Sequence, residues 1–159
     1  MARVILILLF LVLFLSSNEI DLVIVKKSKR KLYLYSNGKI VKEYNIKLGG
    51  NPVGPKVKEG DKKTPEGEYM LDKKNSKSRF YKAIHISYPN KQDIKRAKEL
   101  GVDPGGDIMI HGQINSRGNP LIFFKTAGNW TAGCIALSNK DMDELWELIK
   151  IPTPIKIEP

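Results

Sequence analysis

Apolar and polar positions alternate with a period of two in several short stretches of the chain, the spacing of half-buried strands. Lys31–Ser36 (KLYLYS) and Lys39–Leu48 (KIVKEYNIKL) alternate in this way, and Asn37-Gly38 between them is a two-residue hairpin signal. Asp21–Lys26 (DLVIVK) reads as an earlier strand, and Glu68–Asp72, Lys82–Ser87 (KAIHIS), Asp107–His111 (DIMIH) and Ile155–Ile157 as later ones. The pattern changes to a helical one twice. Asn90–Leu100 has Asn90 as its cap and Gly101 as its stop. Ser138–Lys150 opens with Ser138-x-x-Asp141, and its Met142, Leu145, Trp146 and Ile149 fall at i, i+3, i+4 and i+7, a core stripe. Many strands and two short helices predict a mostly-β domain. Gly49–Lys63 reads as a long loop. Its Gly49–Gly54 portion lacks the Gly-Lys-Ser/Thr ending of a phosphate-cradling loop and follows a hairpin.

The N-terminus breaks the alternation. Val4–Leu15 is an unbroken run of twelve apolar residues, with Arg3 before it and Ser16, Ser17 and Asn18 after it. A basic start, a short apolar run and a polar exit are the layout of a secretory signal. As a helix the run would span roughly 18 Å, less than a hydrocarbon core of about 30 Å. A buried core helix is the alternative, but nothing on the segment is polar enough to form a solvent face. No small-x-small site stands near Ser17, so residues 1–18 fit a cleaved signal peptide or a retained membrane anchor, with residues 19–159 as the folded domain. The expected location is the periplasm or cell envelope. The expected contacts of the N-terminal segment are the membrane or the secretion machinery.

Composition narrows the chemistry. In 159 residues, 42% are apolar and 28% charged, so a packed core is affordable and wholesale disorder is excluded. The net charge of +10 could suit a nucleic-acid binder. The basic residues are scattered, however, and are not interleaved with stacking aromatics. A secreted basic protein meets anionic envelope polymer or membrane surface instead, so no nucleic-acid partner is expected. One cysteine and two histidines leave no material for a multi-cysteine zinc or iron–sulfur site. A monomer is expected.

A lone cysteine in an exported chain pairs between chains, stays buried and inert, or serves as a reactive thiol. Cys134 follows Gly133, which lets the backbone turn tightly, and such a turn can aim the amides of Gly133 and Cys134 at one point, as an oxyanion hole requires. A thiol nucleophile needs a base, and only His85 and His111 are available. His111 ends an apolar strand and precedes Gly112, which places it at a strand-to-loop edge. His85 lies mid-strand between Ile84 and Ile86, where a structural role suits it better.

Ile110-His111-Gly112, a spacer, and then Thr131-x-Gly133-Cys134-Ile135-x-Leu137-x-Asn139 resemble the signature of the L,D-transpeptidase catalytic domain, or YkuD, family. Thr64-Pro65-x-Gly67-x-Tyr69 is similar to that family's upstream segment. Asn129-Trp130-Thr131-x-Gly133-Cys134-Ile135-Ala136, with Tyr88-Pro89-Asn90 and Gly105-Gly106-Asp107, most resembles its YafK-like branch. The resemblance runs from about Asp21 to Leu137 and somewhat beyond. It implies a YkuD-like β-sandwich acting on peptidoglycan stem peptides without a metal or cofactor. Cys134 would be the nucleophile and His111 the base, with the Gly112 carbonyl orienting the imidazole. Gly133, Thr131 and Trp130 would belong to the oxyanion and substrate-binding set. The donor would be a stem tetrapeptide attacked at its third carbonyl, with D-alanine leaving and the acyl group passing to an amine or to water.

Three departures bear on this expectation. Common members carry Ser-His before Gly-Cys and Arg two residues after the Cys, where this chain has Thr131-Ala132 and Ala136. Losing that Arg removes a cation beside the site and weakens or redirects recognition of a substrate carboxylate. The longer spacer carries Phe123, Phe124 and Trp130, which suit either a wall over the cleft or core packing. A pure hydrolase, or an inactive wall-binding domain, therefore stands as the alternative.

Overall fold

Val23 and Val25 of β1 (Leu22–Lys26) and Leu32 and Leu34 of β2 (Lys31–Ser36) turn every second side chain inward, as their alternation dictates. The protein's structure, a computed structural model, describes residues 19–115 and 126–159. The expected N-terminal segment, residues 1–18, and Phe123 and Phe124 lie outside these residues. The remaining elements are β3 (Lys39–Asn45), β4 (Gly67–Ser78), β5 (Tyr81–Ile86), α1 (Lys91–Glu99), β6 (Met109–His111), β7 (Ile135–Ala136), α2 (Asn139–Leu148) and β8 (Thr153–Glu158). The fold is mostly β, as the pattern predicts.

The strands form one hydrogen-bonded sheet in the order β3-β2-β1-β8-β4-β5-β6-β7. β8 inserts between β1 and β4, parallel to the first and antiparallel to the second. The first and last strands of this order would each leave an open edge. The chain beyond β3 covers one of them: Lys47 pairs with Ala136 of β7 through two backbone bonds of 2.8 Å. The sheet is thereby folded back upon itself. Strand β3 was expected to run to Leu48. It ends at Asn45 because the chain then leaves β2, Lys47 bridging Ala136 of β7 and Gly49 bridging Thr131.

The core lies between the folded sheet and α2. Met142, Leu145 and Ile149 pack against Ile84, Ile86, Ile110 and Ile135, each 0–1% exposed. Burying each such side chain contributes about 1.5–3 kcal/mol. Trp146 sits at the margin, with the Lys74 and Lys82 ammonium groups 5.0 and 5.5 Å from its ring centre. Helix α2 has half of the expected cap, Ser138 Oγ accepting the Asp141 N–H. The reciprocal box occurs at α1. There Asn90 accepts from Gln92 and Asp93, and the Asp93 carboxylate returns a bond to the Asn90 N–H. That carboxylate also accepts from Tyr69 Oη at 2.9 Å, which pins α1 to β4.

Two strands differ from their sequence patterns. β4 continues past Asp72 to Ser78 although Lys73–Ser78 is polar, because its backbone keeps pairing with β5 through two irregularities in register. The hairpin closes in two residues, Arg79 and Phe80, between paired Ser78 and Tyr81. β6 starts at Met109 rather than Asp107, since Asp107 is in the left-handed region with φ 53°.

The loop between β3 and β4 is held by a buried ammonium. Lys27, 2% exposed, donates to Gly54 O at 2.7 Å, Thr64 O at 3.0 Å and Glu66 Oε1 at 2.8 Å. Lys56, 4% exposed, does the same further along, bonding Lys58 O and Asp61 Oδ1 at 2.9 Å each. Asp61 also accepts the amides of Val57, Lys58 and Lys63. Burial opposes its charge, but these donors outweigh burial and hold its carboxyl below the ordinary range. Replacing Lys27 by Ala orphans two carbonyls and a carboxylate. Lys27→Ala is expected to lower the unfolding free energy in urea by about 3 kcal/mol, and an unchanged midpoint would contradict this account.

Candidate active site

Strands β6 and β7 run parallel, with Ile110 beside Ile135 and His111 beside Ala136. One step back in this register sets Cys134 beside Met109. Ile110 and Ile135 face the core, so Met109, His111, Cys134 and Ala136 face the other way. Cys134 and His111 are thus diagonal neighbours on one face, positions typically about 7–8 Å apart. Two short strands thus set two residues 23 apart in sequence on one face.

The imidazole is fixed from several directions. His111 Nδ1 lies 2.6 Å from the Gly112 carbonyl oxygen. A carbonyl only accepts, so Nδ1 carries the hydrogen and Nε2 of the neutral ring carries the lone pair. Phe80 stacks on the ring at 4.6 Å and 25°, and Trp130 meets it edge-on at 5.6 Å. Burial pushes the His111 pKa down from 6.5, opposed by the bond to Gly112. At neutral pH the ring is therefore uncharged and free to accept a proton. Gly112 has no room for a side chain, because a Cβ would stand 2.6 Å from Asn139 Oδ1 and 2.9 Å from Tyr81 Cβ. That same Asn139 oxygen accepts the Gln113 N–H at 2.8 Å, tying the loop after His111 to the start of α2.

The thiol is half-buried and surrounded by polar backbone. Cys134 Sγ lies 3.5 Å from the Asp107 carbonyl, to which its S–H donates. Burial pushes the thiol pKa up, and Asp107 adds to this. The Met109 N–H, Lys56 and Arg79 pull the other way. Gly133 has φ 138°, and a Cβ there would lie 2.6 Å from the Lys63 carbonyl. Its own N–H donates to Thr131 Oγ1 at 3.1 Å, and that hydroxyl donates to the Cys134 carbonyl at 2.7 Å. Thr131 thus fastens the turn that presents the thiol, and the Gly133 amide is engaged with it in this state.

Neighbouring segments brace the turn. Thr131 bonds the backbone of Leu48 and Gly50, Asn129 Oδ1 accepts the Leu48 N–H, and Thr64 Oγ1 accepts the Gly49 N–H. A side chain on Gly49 would collide with the Lys62 carbonyl. The sequence-predicted residues Cys134, His111, Gly112, Gly133, Thr131 and Trp130 therefore gather in one place. His85 lies elsewhere, its Nδ1 2.7 Å from Asp72 Oδ1 near the surface. Sequence reasoning missed Phe80 and Lys56, and it gave Asp107, quoted for the family resemblance, no place beside the thiol. Phe80 is delivered by a hairpin tip with neither Gly nor Asn, which no pattern announced. A cleft of about 670 Å³ adjoins the site beyond Trp130 and Ala136. Among the described residues no group of three or more potential ligands could hold a metal ion, and no helix is long and apolar enough to cross a membrane.

Comparison with known proteins identifies the family. The family described as "L,D-transpeptidase catalytic domain" (YkuD) matches residues 20–157. The chain belongs to that family. It is 32% identical over 129 residues to the YafK protein of Escherichia coli (strain K12), whose own assignment as an L,D-transpeptidase is provisional; the match covers 77% of this chain and 44% of that protein. Among solved structures it is similar to the helical cell shape determining protein Pgp2 from Campylobacter jejuni, with 30% identity, a TM-score of 0.67, and coverage of 89% of this chain and 48% of Pgp2. Bdellovibrio bacteriovorus Bd1075 is similar at 29% identity and a TM-score of 0.61, covering 87% and 48%. The chain thus spans under half the length of these relatives.

The electrostatics give opposite shifts for the two groups. Since the neutral form of His111 is favoured, its NMR titration midpoint is expected below 6.5. Since the neutral thiol is favoured, alkylation of Cys134 by iodoacetamide is expected to rise on the alkaline side of an ordinary thiol, above 9.0. A thiol already fully reactive at pH 6 would contradict the burial argument.

Proposed function

We propose that this protein is an exported cysteine acyltransferase of the L,D-transpeptidase type, acting on peptidoglycan stem peptides. The observation that carries this reading is the placement of the Cys134 thiol and the His111 imidazole on one face of β6 and β7, with Nδ1–H held by the Gly112 carbonyl and Nε2 left as the base. His111 Nε2 takes the thiol proton as sulfur attacks the third carbonyl of a stem tetrapeptide. The tetrahedral oxyanion is held by the Cys134 N–H, joined by the Gly133 N–H when it releases Thr131. Collapse breaks the C–N bond to D-alanine, whose amine takes the proton back from the imidazolium. An acceptor amine or water then attacks the thioester, and its proton returns by way of His111 to the departing thiolate. The neutral resting pair suits this cycle, since no buried ion pair has to be maintained before substrate arrives.

Export rests on the apolar run Val4–Leu15, and no nucleic acid takes part. The likeness to Pgp2 supports an associated role in cell shape. Incubation with purified tetrapeptide muropeptides, followed by mass analysis, tests the chemistry. The wild type is expected to release D-alanine, and Cys134→Ala to release none while keeping its circular dichroism spectrum. His111→Ala is expected to lose about 10²–10⁴-fold in rate. A carbapenem, which mimics the acyl donor, is expected to add covalent mass at Cys134 only. Absence of both product and adduct in the wild type would overturn the proposal.

A further inference from the structure

The cleft beside the catalytic pair is lined by two cations, Arg30 and Lys47, and by Trp130, Ala136, Ser138 and Asp141. Its position follows from the sheet. His111 stands beside Ala136 in the parallel pair, and Ala136 stands opposite Lys47 in the antiparallel bridge. The three residues form one row across the strands. Ile46 and Leu48 on either side of Lys47 are buried, so the lysine side chain faces away from the core with Ala136 and His111. Two strand spacings, about 10 Å, separate the backbone of Lys47 from that of His111.

Both cations keep their charge for a ligand. Lys47 Nζ donates to the Ala127 carbonyl at 3.0 Å, and an Arg30 guanidinium N–H donates to the Lys27 carbonyl. These acceptors are neutral, and among the described residues neither cation is ion-paired with a carboxylate. Among the described residues Asp141 is the one acid lining the cleft, set against two bases. An ammonium tethered by one bond has two further donors to offer. Small Ala136 between Lys47 and His111 leaves the space through which a bound peptide would reach from one to the other.

We infer that Lys47, with Arg30 behind it, forms a subsite for a free carboxylate of the peptide substrate. This restores, from the segment bridged to β7, the cation that Ala136 does not provide. The inference rests on the proposed function and identifies how that site distinguishes an anionic peptide from its amide. The carboxylate is either the side-chain acid of the third stem residue or the terminal acid of the D-alanine, and the two are separable by chemistry.

The test measures D-alanine or D-alaninamide release from three tetrapeptide probes. One is the free diacid, one is amidated on the third-residue side chain, and one is amidated at its C-terminus. With the diacid, Lys47→Gln is expected to raise KM by about tenfold, the scale of one lost charge-assisted hydrogen bond. The loss should fall on KM rather than on kcat. Lys47→Arg should stay within about threefold of the wild type, since it keeps the charge. With one amidated probe the difference between wild type and Lys47→Gln should vanish, and that probe names the carboxylate. The wild type alone provides a second measurement, because amidating the recognised group should raise its KM by a similar factor. A KM for the diacid unmoved by Lys47→Gln, an equal penalty on all three probes, or a loss in Lys47→Arg as deep as in Lys47→Gln would overturn the subsite while leaving wild-type turnover, and so the proposed function, standing. A wild type that releases product from no probe would overturn the proposed function and the subsite with it.

Discussion

Two backbone hydrogen bonds between Lys47 and Ala136 hold the molecule's functional end together. They join the chain leaving one edge of the sheet to the strand at the other edge. The braces on the turn before Cys134 lie beside that junction: Thr131 on Leu48 and Gly50, Asn129 on Leu48, and Gly49 against the Lys62 carbonyl. An unpaired β7 would be a two-residue strand carrying the thiol on a free edge, too short to hold it in place. Pairing on both sides turns this short strand into the best-supported part of the site.

The site places polar groups where water is scarce and relies on backbone to satisfy them. His111 answers to the carbonyl of its own neighbour, and the thiol to the backbone of Asp107 and Met109. No carboxylate is spent on orienting the imidazole. The ring is not driven toward its charged form, and Phe80 and Trp130 keep its plane fixed without adding charge. In the proposed reaction, such an arrangement leaves most of the charge separation to be formed after substrate has displaced solvent from the face.

Most of this was legible along the chain. The alternation of DLVIVK and KLYLYS located β1 and β2, the Met142-Leu145-Trp146-Ile149 stripe located α2, and the His-Gly and Gly-Cys elements singled out two residues that β6 and β7 set near one another. What escaped has a common cause. Polar Lys73–Ser78 is a strand because its partner is a strand, and the Arg79-Phe80 tip closes a hairpin without a turn residue. Residues 46–49 change partners midway through an unbroken alternation. Asp107 abandons strand geometry although its neighbours suit it. In each case tertiary pairing overrides a local preference worth a fraction of a kilocalorie. The buried lysines were illegible for a related reason: nothing in a lysine-rich loop distinguishes a solvated ammonium from one enclosed by carbonyls.

The ammonium of Lys27 also bears on motion. It begins just after β1, whose partner β8 lies mid-sheet, and it grips the long excursion between β3 and β4 at Gly54, Thr64 and Glu66. An excursion of that length would ordinarily open as an independent flap with little free-energy cost. Tethered in this way, it joins the same cooperative unit as the central strands. Amides around Thr64 should then exchange with solvent only through global unfolding, in step with those of the central strands.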